Sequence, residues 1–280
     1  MQLINTKKEL RSLLSSLGKI KTLGLVPTMG ALHLGHISLV ERSLKENDAT
    51  VVSIFVNPTQ FNNREDLAKY PQTMDRDVSL LRSVSEDIII FAPSPQEIYS
   101  GDITSKSYDF GGLENMMEGE FREGHFNGVG TIVEKLLTLI SPNRAYFGEK
   151  DFQQLQIIRK LVHNLALPVA VIGCPIVREP NGLAMSSRNE RLSKALRQEA
   201  AFIYSTLLDA KEKFGTKSAD FVMDWVRKQF GSQQDFKLEY FKITDEDKLL
   251  PVIQKEKDTK YRAFIAVYVG DVRLIDNIAL

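Results

Sequence analysis

The sequence predicts an α/β chain, with a parallel sheet covered by helices over residues 1–175 and a smaller α+β domain over residues 176–280. Three observations carry this prediction. In the first part, short and continuously apolar runs alternate with helical patterns, as buried parallel strands joined by crossover helices do. After Pro175 the alternation stops, and helical patterns are followed by strand patterns in series. The length of 280 residues, with 43% apolar and 26% charged, is enough for about two domain cores.

Taken in order, residues 23–26 read as the first strand and residues 37–46 as an amphipathic helix. Strands are expected at 50–56, 87–91, 144–147 and 169–173, with helices at 75–84, 129–140 and 152–165. Residues 101–126 are irregular and carry glycines, which fits a mobile loop near a site. Glu179-Pro180-Asn181-Gly182 is a strong turn signal. Helices are expected at 191–214 and 219–230, then two antiparallel strands at 236–243 and 261–269.

Lysine plus arginine balance aspartate plus glutamate at 36 each. A formal charge of zero without a basic stripe argues against nucleic acid or a membrane surface as partner. No run has the length of a membrane span, and residues 1–15 lack the apolar core of a signal peptide. The single cysteine, Cys174, lies in an apolar segment and is expected to be buried and inert. These features fit a cytoplasmic protein.

The chemistry concentrates at strand ends. Pro27-Thr28-Met29-Gly30-Ala31-Leu32-His33-Leu34-Gly35-His36 spans the junction from the first strand into the first predicted helix. The first N–H groups of a helix lack intrahelical partners and its dipole favours anions. Glycine admits close approach, and histidine adds donors for phosphate oxygens. The junction therefore reads as a nucleotide triphosphate seat. Histidines three apart can also share a metal, with His125 as a third ligand, but no thiolate cluster or metalloprotease spacing accompanies them.

Two further segments sit at strand ends, and a third follows the Asn181-Gly182 turn. Asn57-Pro58-Thr59-Gln60-Phe61 breaks the second strand, where Gln60 suits a polyol acid and a surface turn is the alternative. Gly148-Glu149-Lys150-Asp151 follows the fourth strand. There Lys150 can neutralise phosphate and Asp151 can cap the next helix, bind ligand, or do both. Gln153-Gln154 follows, a pair able to grip hydroxyls and carboxylates. Ala184-Met185-Ser186-Ser187-Arg188-Asn189 combines small hydroxyls with an arginine, as a phosphate-gripping loop would.

Together these segments, with Gly-His-Phe at 124–126 and Tyr-Phe-Gly-Glu-Lys-Asp at 146–151, resemble the pantoate–β-alanine ligase family over essentially the whole chain. The resemblance implies a Rossmann-like domain over 1–175 and a C-terminal lid over 176–280 that carries the Ser-Ser-Arg loop. It implies ATP-dependent ligation of pantoate with β-alanine through pantoyl adenylate, releasing pyrophosphate and AMP. Met29, Gly30, Ala31, Leu32, His33, Leu34, Gly35 and His36 would line the ATP site, with His36 in the acid role and His33 sharing the phosphates. Lys150, Ser186, Ser187 and Arg188 would hold the triphosphate. Gly148, Glu149 and Asp151 would lie at the nucleoside, with Val177 and Met185 alongside. Gln60 and Gln154 would grip pantoate, Gln60 also lying near β-alanine.

Mg²⁺ is implied as the partner of the triphosphate, without choosing between Asp75, Asp77 and neither. A homodimer in the cytoplasm is implied as well. Glu123 stands where the family often has proline, a departure that touches the loop around Arg122. The enzymatic rival is a nucleotidyltransferase acting on a phosphate ester, which would leave the glutamine segments without a task. A nucleotide-sensing protein with a dead site is the non-enzymatic rival.

Overall fold

A computed structural model describes residues 1–18, 20–61, 67–68 and 70–280. The chain divides into two compact units, Met1–Glu149 with Gln154–Pro175, and Lys150–Gln153 with Ile176–Leu280.

The first unit is built on a six-stranded parallel sheet. Its strands are β1 (Gln2–Ile4), β2 (Leu23–Thr28), β3 (Ala49–Ile54), β4 (Ile89–Phe91), β5 (Arg144–Gly148) and β6 (Ala170–Cys174). They lie in the order β1-β4-β3-β2-β5-β6. The helices are α1 (Lys7–Ser16), α2 (Leu34–Glu46), α3 (Met74–Arg82), α4 (Pro95–Tyr99), α5 (Glu118–Phe121), α6 (His125–Ile140) and α7 (Phe152–Asn164). From β2 the chain moves outward through β3 to β4, then returns to the other side of β2 with β5 and β6. That reversal places a topological switch point at the carboxyl ends of β2 and β5, where open α/β sheets bind ligands.

Apolar residues dictate this arrangement. Val26, Val52 and Ile90 of the central strands are fully buried and pack with Ile37, Leu39 and Val40 of α2 and Leu81 of α3. The α2 helix is tied to the sheet at its far end as well, where Glu46 accepts from Arg42 Nε at 2.9 Å and from the Tyr146 hydroxyl at 2.9 Å. Burial raises Tyr146 to about 12. Cys174 is buried, and burial pushes its thiol above the ordinary value.

In the second unit, β7 (Phe236–Asp245), β8 (Tyr261–Val269) and β9 (Val272–Ala279) form an antiparallel sheet in that order. Helices α8 (Lys194–Glu199), α9 (Ala201–Phe214) and α10 (Ala219–Gly231) belong to the same unit. Ile203, Leu207, Val222 and Val226 of the helices pack with Ile265 and Val267 of the central strand.

Several boundaries differ from expectation. The helix expected over 191–214 is divided. Ser187–Arg191 is a 3-10 turn, Leu192 is extended, and Ser193 starts α8 by accepting from Leu196 N at 3.2 Å. A serine with this geometry is a helix start, so the pattern could not run through it. The helix expected at 129 begins at His125, because Gly124 in left-handed conformation turns the chain into it. β1, α1 and β9 were not expected at all. The irregular stretch 101–126 is pinned to α6 from residue 106 onward. Lys106 N donates to Thr131 Oγ1 at 2.8 Å, Tyr108 N to Asn127 Oδ1 at 3.1 Å, and the Tyr108 hydroxyl to Glu134.

Candidate active site

In the first unit, the expected residues collect at the carboxyl ends of neighbouring strands. The histidine turn follows β2, Gln60 follows β3, and Gln154 lies in the first turn of α7 after β5. The order β3-β2-β5 therefore sets the histidines between the two glutamines along the sheet edge.

The turn itself is closely specified. Gly30 has φ +80° and Ala31 φ +50°, left-handed values that suit glycine and cost an alanine. A Cβ on Gly30 would stand 3.1 Å from Asp77 Oδ2 and 3.2 Å from Ile54 Cγ2. Gly30 N donates to Thr28 Oγ1 at 3.3 Å, and Ala31 N and Leu32 N donate to Asp77 Oδ2 and Oδ1 at 3.0 and 2.8 Å.

The histidines then cap α2. His33 Nδ1 accepts from Gly35 N at 3.1 Å, and His36 Nδ1 accepts from His33 N at 3.3 Å. Thr28, Asp77 and His36 thus take the N–H groups of the turn ahead of α2, while within the first turn of the helix Gly35 N goes to the His33 ring and His36 N and Ile37 N go to His33 O. A ring nitrogen that accepts an N–H carries no proton, so each neutral imidazole bears its hydrogen on Nε2. The two rings lie 4.1 Å apart, centroid to centroid, and both are half-buried. The turn converts backbone donors into two imidazole donors.

Gln60 is buried in the 3-10 turn Pro58–Gln60. Its Nε2 contacts the Met29 sulfur, and its Oε1 accepts from Asn57 Nδ2 at 3.4 Å. Asn57, also buried, donates to Gly128 O at 3.0 Å and accepts from the Tyr99 hydroxyl at 2.6 Å. His125 belongs to this support. Its Nδ1 lies 2.8 Å from Gln60 O and its Nε2 3.2 Å from Arg122 Nη1. A ring bonded in this way, beside a guanidinium, does not suit the third-ligand role considered for it. Asn57 and Tyr99 were missed as supports. The motif around Asn57 was legible, but its partner at residue 99 was not.

In the second unit, Val177 and Met185 face each other across a hairpin, with Met185 N donating to Val177 O at 3.0 Å. Ser186 Oγ accepts from Arg188 N at 3.3 Å, which leaves its hydroxyl hydrogen available for donation. Asn189, buried below the loop, donates to Ala184 O at 3.0 Å and Glu179 Oε1 at 2.7 Å.

The hairpin is anchored by Arg178, which pairs with buried Asp276 through Nη1 at 2.6 Å and Nη2 at 3.0 Å and stacks on Tyr204. The next residue, Asn277, donates to Lys150 O at 2.9 Å. Burial pushes Asp276 above the usual carboxylate range, and the Arg178 guanidinium opposes that shift. Lys150 Nζ lies 3.8 Å from Asp151 Oδ2. Asp151 falls within the 3-10 turn Glu149–Asp151 that runs directly into α7. Of the two glutamines, Gln153 is buried and Gln154 half-buried.

A family model for pantoate-beta-alanine ligase matches residues 2–279. Similar chains include the pantothenate synthetase of Christiangramia forsetii, 56% identical over 277 residues that cover 98% of both chains. That of Flavobacterium psychrophilum is 59% identical over 260 residues, 93% of this chain and 92% of that one. Among solved structures, pantothenate synthetase from Thermus thermophilus matches with a TM-score of 0.91 at 40% identity, covering 99% of each chain. The pantoate-beta-alanine ligase from Francisella tularensis, complexed with beta-gamma ATP and beta-alanine, matches with a TM-score of 0.82 at 37% identity, covering 99% of this chain and 97% of that one.

Proposed function

The chain belongs to the pantoate–β-alanine ligase family, and from that premise we propose that it condenses pantoate with β-alanine using ATP. One observation carries the reading: two imidazoles, each accepting a backbone N–H at Nδ1, stand between Gln60 and Gln154 on one sheet edge. A phosphate grip there lies beside a grip for hydroxyls and a carboxylate.

The chemistry follows from the substrate. A carboxylate is a poor electrophile because its charge feeds the carbonyl. In the proposed first step, a pantoate oxygen attacks the α-phosphorus, the bond to pyrophosphate breaks, and pantoyl adenylate forms. The β-alanine amine then attacks the acyl carbon, AMP departs, and the amine proton is lost to solvent. No protein nucleophile is needed; positioning and charge stabilisation supply the rate.

Each residue has a task in this reading. His36 and His33 donate from Nε2 to the α-phosphate and the departing pyrophosphate, stabilising charge without full proton transfer. Lys150, Ser186, Ser187 and Arg188 take the remaining phosphate charge. Gly148, Glu149, Asp151, Val177 and Met185 bind the nucleoside side. Gln60 and Gln154 hold pantoate. The second unit acts as the lid that keeps water from the adenylate.

Mg²⁺ accompanies ATP as its counter-ion, held by phosphate oxygens and water. Among the described residues no group of three or more His, Cys, Asp or Glu side chains could cage a metal. A cytoplasmic homodimer completes the reading, on the family resemblance.

The test is AMP and pyrophosphate release from Mg-ATP with pantoate, with and without β-alanine. Sustained AMP release that requires both substrates is expected. Turnover with a phosphate ester in place of pantoate, or ATP binding without any response to pantoate, overturns the proposal.

A further inference from the structure

Asp77 lies outside every motif that carries the proposed chemistry and 46 residues from Ala31, yet it is 1% exposed beneath the histidine turn. Its two oxygens receive three donors. Oδ2 accepts from Ala31 N at 3.0 Å, while Oδ1 accepts from Leu32 N at 2.8 Å and from Thr73 Oγ1 at 3.1 Å. The residue it holds, Ala31, is one that sterics push away from the left-handed conformation it adopts.

The geometry assigns Asp77 as a positioning residue for nucleotide binding. It clamps the Gly30–Leu32 turn and so fixes the point from which His33 enters α2. This assignment rests on the proposed role of the histidine turn in holding ATP.

A left-handed Ala31 directs its own N–H and that of Leu32 into the protein, where water cannot serve them. A buried N–H without an acceptor is costly, so the turn needs an acceptor with two oxygens at that spot. A carboxylate supplies both from α3, and Thr73, just before that helix, steadies the carboxylate. Directly downstream, His33 N donates to His36 Nδ1, so a shifted turn loosens the bond that fixes the His36 tautomer. With both oxygens engaged inward, Asp77 is not the carboxylate that assists a metal bound to the triphosphate.

The test compares the full-length Asp77→Asn variant with the wild type in the AMP-release assay. The asparagine amide would confront a backbone N–H with another donor. The expected result is a loss of about tenfold or more in kcat/KM for ATP, with KM for β-alanine and the Mg²⁺ half-saturation within about twofold of wild type. Long-range ¹H–¹⁵N spectra should show Nε2–H tautomers for His33 and His36 in the wild type and averaged signals in the variant. ATP kinetics unchanged in a folded variant, or a loss recovered by raising Mg²⁺, overturns the assignment.

Should Asp77→Asn not fold, Thr73→Val removes one donor to Oδ1 and is expected to lower kcat/KM for ATP about two- to fivefold. An unaltered value there refutes the clamp. Failure of the wild type to use pantoate counts against the ligase reading instead, and the histidine spectra still judge Asp77.

Discussion

Replacing Gly128 by alanine tests how rigidly Gln60 is held. Gly128 lies on α6 against the turn that carries Gln60. A Cβ there would stand 2.3 Å from the Thr59 carbonyl oxygen, 2.5 Å from its carbon and 2.6 Å from Gln60 Cα. Ordinary contact begins near 3.4 Å. The neighbours are backbone atoms, so no side chain can swing aside, and the turn must move by about 1 Å. It cannot simply tilt, because Asn57 ties it to Gly128 O and His125 ties it through Gln60 O.

A misplacement of about 1 Å costs up to roughly 100-fold in rate. The expected loss is therefore about 30- to 100-fold in kcat/KM for pantoate, equivalent to about 2–2.7 kcal/mol. Overpacking should also lower stability by about 1–3 kcal/mol. The assay varies pantoate at saturating ATP, then ATP at saturating pantoate, and follows AMP. The ATP dependence should stay near wild type, since the histidine turn is on a different strand end. A folded G128A enzyme with wild-type kcat/KM for pantoate would refute the claim that this contact positions Gln60.

Three further outcomes are expected. His36→Ala should cut turnover about 100- to 1000-fold while the fold survives, checked by circular dichroism beside the AMP assay; near-normal turnover would remove His36 from the chemistry. Gln154→Ala should raise KM for pantoate about tenfold with ATP binding retained, as read by steady-state kinetics and calorimetry. For Glu46, the Arg42 hydrogen bond and then the Tyr146 hydroxyl hold the carboxyl below its ordinary 4.5. The sign follows: its contribution is complete above pH 4.5 and is lost as pH falls through the lowered folded value. Glu46→Gln should therefore lower Tm near neutrality and show a smaller further fall below pH 4.5, followed by thermal melts from pH 7 to 3.5.

The parallel sheet was readable because its strands are short, apolar and separated by helical periodicity. β1 and β9 were not. β1 has three residues, and β9 breaks the period of two, with Leu274-Ile275 and then Asp276-Asn277 in succession. The residues of the histidine turn, Gln60 and the Ser-Ser-Arg loop were readable because each sits in a distinctive local string. What supports them was hidden, because Asp77, Tyr99, His125 and Asn277 act through contacts across tens of residues. Sequence shows where the turn before a helix lies but not which distant carboxylate takes its amides.

The passage of Lys150–Gln153 into the company of residues 176–280 has a consequence for how the molecule is made. Asn277 reaches Lys150, and Arg262 and Phe264 lie against Phe152. During vectorial synthesis the ribosome releases Lys150 long before β9 exists, so the seat of that lysine is completed only once Asn277 emerges. An excised fragment beginning at residue 176 lacks the aromatic ring its own sheet packs on, and trimming a few residues from the carboxyl end loosens a position some 130 residues upstream.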